Sequence, residues 1–155
     1  MLEVLIFIYQ NYWDKHDASE LKETDETIMA YELSQAGFNH QDILHAVDWV
    51  KDLRRSVQQP QYQQDPAAIR IFCEMERNKI NDESLNFLTL LQRSDIITAY
   101  ERDLIVDRAM VLPQETLSME DIRWITMMVL WDETRKQDYL FVEDALFNPQ
   151  GLSLQ

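Results

Sequence analysis

Asp42 and His45 stand three residues apart, a spacing that places both side chains on one face of a helix. A carboxylate-x-x-His pair is half of the ligand set that helical di-iron proteins use. The full set needs a second such pair and two further carboxylates from neighbouring helices. No Glu-x-x-His occurs anywhere in the chain, and neither does His-Glu-x-x-His or Cys-x-x-Cys. His16 falls in a charged stretch and His40 at a helix start. The residues therefore predict no metal and no other cofactor.

Nucleophilic chemistry is equally poorly supplied. The single cysteine, Cys73, has Glu74 and Glu76 close by in sequence. Nearby negative charge raises a thiol pKa and suppresses the thiolate that would react. Gly-x-Ser-x-Gly is absent, and two glycines in all cannot build a phosphate-cradling loop. Acidic pairs such as Asp103/Asp107 and Glu143/Asp144 read as solvated helix faces in a chain with 28 acids. The expectation is a protein that is not an enzyme. The alternative is a helical metal protein or enzyme whose site combines dispersed acids with His45.

Any such residues must be positioned by helices. Leu2, Leu5, Ile6, Tyr9, Tyr12 and Trp13 recur at three- and four-residue steps and predict a helix over about Leu2–Trp13. Thr24 is placed to cap a second helix with Ile28, Met29, Leu33 and Ala36 inward. Gly37 stops it, since glycine adopts a left-handed backbone cheaply. Asn39 caps a third helix, with Ile43, Ala46, Val47 and Val50 inward and Trp49 flanking them.

Residues 58–66 change to a Gln- and Pro-rich linker. Ile69-Arg70-Ile71-Phe72 alternates apolar and polar side chains and predicts one short extended segment. Helices resume at about Glu74–Lys79, then after an Asn81 cap through Leu85, Leu88 and Leu91. Thr98/Glu101 and Ser118/Asp121 form the capping boxes of two more. A final helix is expected over about Gln137–Phe147, ending before Pro149.

The fold class is thus all-α. The expectation is a compact helical bundle of about seven to eight helices in two lobes, a three-helix lobe over 1–57 and a second over 67–155. Two glycines and four prolines supply too few turns for a many-stranded β fold.

Charge bounds the partners. The formal net charge is −14, and both lobes are acidic. Such a surface repels nucleic-acid phosphates and anionic lipid and suits a basic protein partner. The Met1–Ile6 start has no basic leader, and the most apolar window, 124–131, is too short to span a bilayer. A single cysteine fits a reducing compartment, so the expected location is the cytoplasm. Leu33, Gly37, Ile43 and Ala46 loosely imitate helix-turn-helix spacing, which keeps direct nucleic-acid binding as a further alternative. Against it, Asp42, Asp48 and Asp52 line the would-be recognition helix, and Lys51, Arg54 and Arg55 lie at the end far from the bases.

Ala36-Gly37-Phe38 followed by Asp42-Ile43 and Ala46-Val47 is similar to the turn and following helix of small ubiquitin-associated modules, where that corner binds protein. The simpler reading is a helix cap whose Phe plugs the core. The candidate partner-binding residues are Gly37, Phe38, Ile43 and Trp49.

Across nearly its whole length, about Met1 to Phe147, the chain resembles the bacterial Smg family. The carriers are Ala36-Gly37-Phe38, Asp42-Ile43 with Trp49, Arg70-Ile71-Phe72 with Glu76, and Phe87-Leu88 with Leu91. Further along they are Val106-Asp107-Arg108-Ala109-Met110, Glu120-Asp121 with Trp124, Met128-Val129-Leu130, and Glu143-Asp144 with Leu146-Phe147. Asn86 stands where relatives usually have glycine, and the linker is unusually Gln-rich. The resemblance implies a bacterial cytoplasmic protein without known enzymatic activity. It carries over no site residue. The reading it leaves is a protein–protein interaction module or adaptor, linked to DNA processing through a basic partner.

Overall fold

The computed structural model describes residues 1–12, 23–57, 68–130, 143–144 and 146–147. It divides into two compact units, Met1–Gln59 and Pro60–Gln155. Among the described residues it is all-helical, with seven helices.

The first unit holds α1 (Leu2–Tyr12), α2 (Glu23–Gln35) and α3 (His40–Val57). α3 packs against both of the others. Its length and its i, i+3, i+7 stripe explain why: Ile43, Ala46, Val50 and Leu53 are all buried, together with Trp49. Leu2, Val4, Leu5, Ile8 and Tyr9 come in from α1, and Met29 and Leu33 from α2.

Several details depart from the periodicity argument. On α1, Val4 and Ile8 take the buried places, while Ile6 and Tyr12 are half-buried; Trp13 lies outside the described residues. α2 already includes Thr24, so Thr24 is not its cap. Ile28 is exposed because, at 100° per residue, it sits 100° from Met29 and 140° from Leu33. Ala36 is exposed because it lies past the helix end.

The second unit holds α4 (Glu74–Lys79), α5 (Asp82–Arg93), α6 (Ala99–Met110) and α7 (Met119–Leu130). The α6–α7 pair is its centre, with α5 against both and α4 on α6. The helix starts follow the caps expected. The Asn81 Oδ1 accepts from the Ser84 amide at 2.8 Å. Thr98 and Glu101 cap reciprocally at 3.1 and 2.7 Å, and Ser118 and Asp121 at 3.2 and 2.8 Å.

α7 is apolar on nearly every side, and Ile125 through Leu130 are all buried. The expected last helix falls mostly outside the described residues, though 143–144 and 146–147 are helical and Leu146 is buried. The linker at 58–66 also lies outside them.

The extended segment expected near 69–72 does not become a strand. Among the described residues the one β interaction is an isolated parallel bridge between Ile80 and Leu117, with the Leu117 amide donating to the Lys79 carbonyl at 2.8 Å. Among the described residues, the 69–72 backbone has no neighbouring strand to pair with. No helix among the described residues is long and apolar enough to cross a membrane.

Candidate protein-binding site

The Gly37–Phe38 corner is built by the backbone. Gly37 has φ +91°. Its amide donates to the Ser34 carbonyl at 3.1 Å, and the Phe38 amide reaches back to Leu33 at 3.2 Å. These two bonds form a Schellman motif, which satisfies the last carbonyls of α2. The chain then enters α3 at once. The Asn39 side chain accepts from the Gln41 amide at 2.8 Å, and the Ile43 amide donates to the Asn39 carbonyl. Phe38 therefore closes one helix and precedes the cap of the next, where an apolar residue commonly staples onto the first turn.

The four residues proposed from sequence separate in the structure. Gly37 is exposed and Phe38 is half-buried, with its ring edge-to-face on Phe7 at 5.4 Å and 70°. Ile43 and Trp49, in contrast, are buried at 1% and 2% exposure and form core, so neither can face a partner. The burial of Ile43 follows the inward stripe of α3, whereas Trp49, which flanks that stripe, is enclosed because an 18-residue helix packed against two neighbours buries a wider arc than one stripe.

Sequence reasoning missed what remains in water. Ile28 and Tyr31 on α2 and Leu44 on α3 are 51%, 65% and 47% exposed. Ile28 and Tyr31 share a face at i, i+3. An exposed carboxylate follows one turn after Ile28 and Leu44, at Glu32 and Asp48 respectively. The helical phase of α2, measured from Met29 and Leu33, would have revealed Ile28 and Tyr31.

His45 is exposed, Asp42 is half-buried and Cys73 is exposed. Among the described residues, no three His, Cys, Asp or Glu side chains gather as a metal-ligand set.

Among the described residues of the second unit, an ionic cluster gathers around Arg70. Arg70 pairs with Glu76 at 2.7 Å and with Asp103 at 3.1 Å, and its guanidinium lies 4.8 Å over the Phe72 ring. Buried Arg102 also holds Asp103, at 2.9 Å, and donates to Gln92. The Glu76 carboxylate accepts the Cys73 amide at 2.8 Å. Burial pushes the Glu76 carboxyl up, but the bonds from Arg70 and the Cys73 amide outweigh this and hold it below its ordinary value. Each oxygen of Glu76 is thus occupied by a partner within the chain. The cluster reads as a fastener for the 69–73 segment, not as an acid–base pair.

Residues 1–154 match a family model described as a protein of unknown function (DUF494). The chain is 38% identical to a "Protein Smg homolog" of Methylobacillus flagellatus over 148 residues, 96% of this chain and 95% of that one. It is 35% identical to the homologue of Methylococcus capsulatus over 88% of this chain and 85% of that one. It is 34% identical to the homologue of Nitrosococcus oceani over 96% and 93%. No solved structure matches. Near-complete coverage in both directions places the chain in the Smg family, a family of unknown function.

Proposed function

We propose that the protein is a non-enzymatic interaction module of the bacterial cytoplasm that docks a basic protein partner through the first unit. The observation that carries this reading is the set of exposed apolar side chains on α2 and α3: Ile28, Tyr31 and Leu44. Large apolar groups left in water side by side, as Ile28 and Tyr31 are at i, i+3, commonly mark contacts. Here Glu32 and Asp48 follow Ile28 and Leu44 one turn later, in a chain of net charge −14. An apolar anchor flanked by carboxylates suits a partner segment that mixes aliphatic or aromatic residues with Lys and Arg.

Affinity capture from the native host, with mass spectrometry, tests the reading. Wild-type chain should retain a specific basic protein, and raised salt should weaken the retention. Tyr31→Asp with Leu44→Asp should lose that protein while keeping the helical circular dichroism spectrum. Capture of the same proteins by wild type and variant would defeat the proposal.

A further inference from the structure

None of the six residues of α4 is buried. The extended segment that leads into it is no better enclosed. Of the apolar side chains over residues 68–79, only Phe72 is half-buried, while Ile69, Ile71 and Met75 are 89%, 82% and 72% exposed. Among the described residues, no backbone hydrogen bond joins 69–72 to another element. This stretch therefore lacks the apolar burial that holds α5, α6 and α7, and low burial is the mark of a part that opens locally. Its internal contacts are closer. The Glu76 carboxylate takes two bonds from Arg70, at 2.7 and 3.3 Å, and one from the Cys73 amide at 2.8 Å. The Arg70 guanidinium also lies 4.8 Å over the Phe72 ring. The extended segment and α4 thus form one body. At the α4 end this body is fixed. The Lys79 ammonium donates to the Met110 and Leu112 carbonyls, the Lys79 carbonyl accepts the Leu117 amide at 2.8 Å, and Ile80 is fully buried. At the other end the tie to α6 is the ion pair from Arg70 to Asp103 at 3.1 Å.

We propose that residues 68–79 form a hinged flap, latched to α6 by the Arg70–Asp103 pair and pivoting at Lys79–Ile80. Two features keep the cost of release low. Asp103 also accepts two bonds from buried Arg102, at 3.0 and 2.9 Å, and Arg70 keeps Glu76. Neither charge is left without a partner when the latch parts. Ile69, Ile71 and Met75 are already in water, so of the flap's own apolar side chains only Phe72 gains exposure.

The latch is electrostatic, and its side chains are 28% and 31% exposed, within reach of dissolved ions. Raised ionic strength therefore loosens the flap while it relieves repulsion over the rest of the acidic chain. This device is independent of the docking proposed for the first unit.

Amide hydrogen exchange of the full chain, resolved by residue with NMR, tests the proposal. A helix this short does not persist alone in water. Amides of α4, such as that of Arg77, which donates to the Cys73 carbonyl at 3.0 Å, therefore exchange when the flap opens. In wild type they should exchange faster than those of α5, α6 and α7, and faster still as NaCl goes from near zero to about 0.15 M. Asp103→Asn removes the latch charge and leaves the flap's own bonds intact. It should speed α4 exchange roughly 3–10-fold, abolish the salt response and leave α5 and α7 at wild-type rates. Arg77→Gln, which removes the more exposed pair to Asp82, should leave the salt response in place. Wild-type α4 amides as slow as those of α5–α7 overturn the proposal. So does an Asp103→Asn effect that spreads equally to α5 and α7, a salt response that survives it, or one that Arg77→Gln abolishes.

Discussion

At the scale of single residues, two positions end helices in the same way with different side chains. Gly37 and Asp95 both have positive φ, 91° and 56°. Both donate to the residue three back, and the amide after each reaches five back, to Leu33 and Leu91. Glycine suits this conformation, whereas an L side chain there costs roughly 1–2 kcal/mol. A Cβ added at Gly37 would meet nothing within 4 Å. Gly37→Ala should therefore lower stability by only ~1 kcal/mol, a purely conformational penalty, in urea denaturation. A loss much larger than that would point to a clash the structure lacks. Asp95 is the reverse case. Asp95→Gly relieves the left-handed strain but adds freedom to the unfolded chain, which offsets ~0.4–1 kcal/mol. The expected net effect is a gain of up to ~1 kcal/mol, and a clear loss would show that the Asp95 side chain contributes more than its strain costs.

At the scale of elements, α7 and the 69–73 segment show opposite modes of attachment. α7 is held by burial. Met127 is 2% exposed, so Met127→Ala should cost ~2–5 kcal/mol through lost contacts and the cavity left behind. An unchanged denaturation midpoint would mean that the helix is not enclosed. The 69–73 segment is held by charge, with Glu76 accepting from Arg70 and from the Cys73 amide. The Glu76 carboxyl lies below its ordinary value of 4.5, because those bonds outweigh its burial. A depressed acid contributes stability that is complete above its unfolded pKa and is lost as pH falls through the folded one. Stability should thus decline on acidification below about pH 4.5. Glu76→Gln, which cannot titrate, should flatten that decline in a melting-temperature series. Parallel pH profiles for the two proteins would show that Glu76 does not couple to folding.

At the scale of the whole molecule, charge is the dominant property. Twenty-eight acids against fourteen bases leave self-repulsion that partial pairing does not remove. At 0.1 M, salt largely screens repulsion between exposed charges more than ~10 Å apart. The melting temperature should rise as NaCl goes from near zero to about 0.15 M. A fall would show that favourable ion pairs, such as Arg77–Asp82 at 2.9 Å, outweigh the net charge.

Much of this organisation is local and was therefore legible from residue order. A helix start is a contest among neighbouring amides and side-chain oxygens, so Asn39, Asn81, Thr98 and Ser118 announce themselves within four residues. A helix stop at Gly37 is equally local, as is the apolar run of α7. The residue order also carries the likeness to the Smg family. What only the tertiary structure decided is which part of each helix surface meets another element. Periodicity gives the width of a stripe but not how many neighbours cover it. Two helices against α3 therefore drew Trp49, which flanks the periodic stripe, into the core. The same holds for Ile69 and Ile71. Their alternation signals an extended chain, but Arg70 fixes which side faces inward, through Asp103, a partner thirty-three residues away.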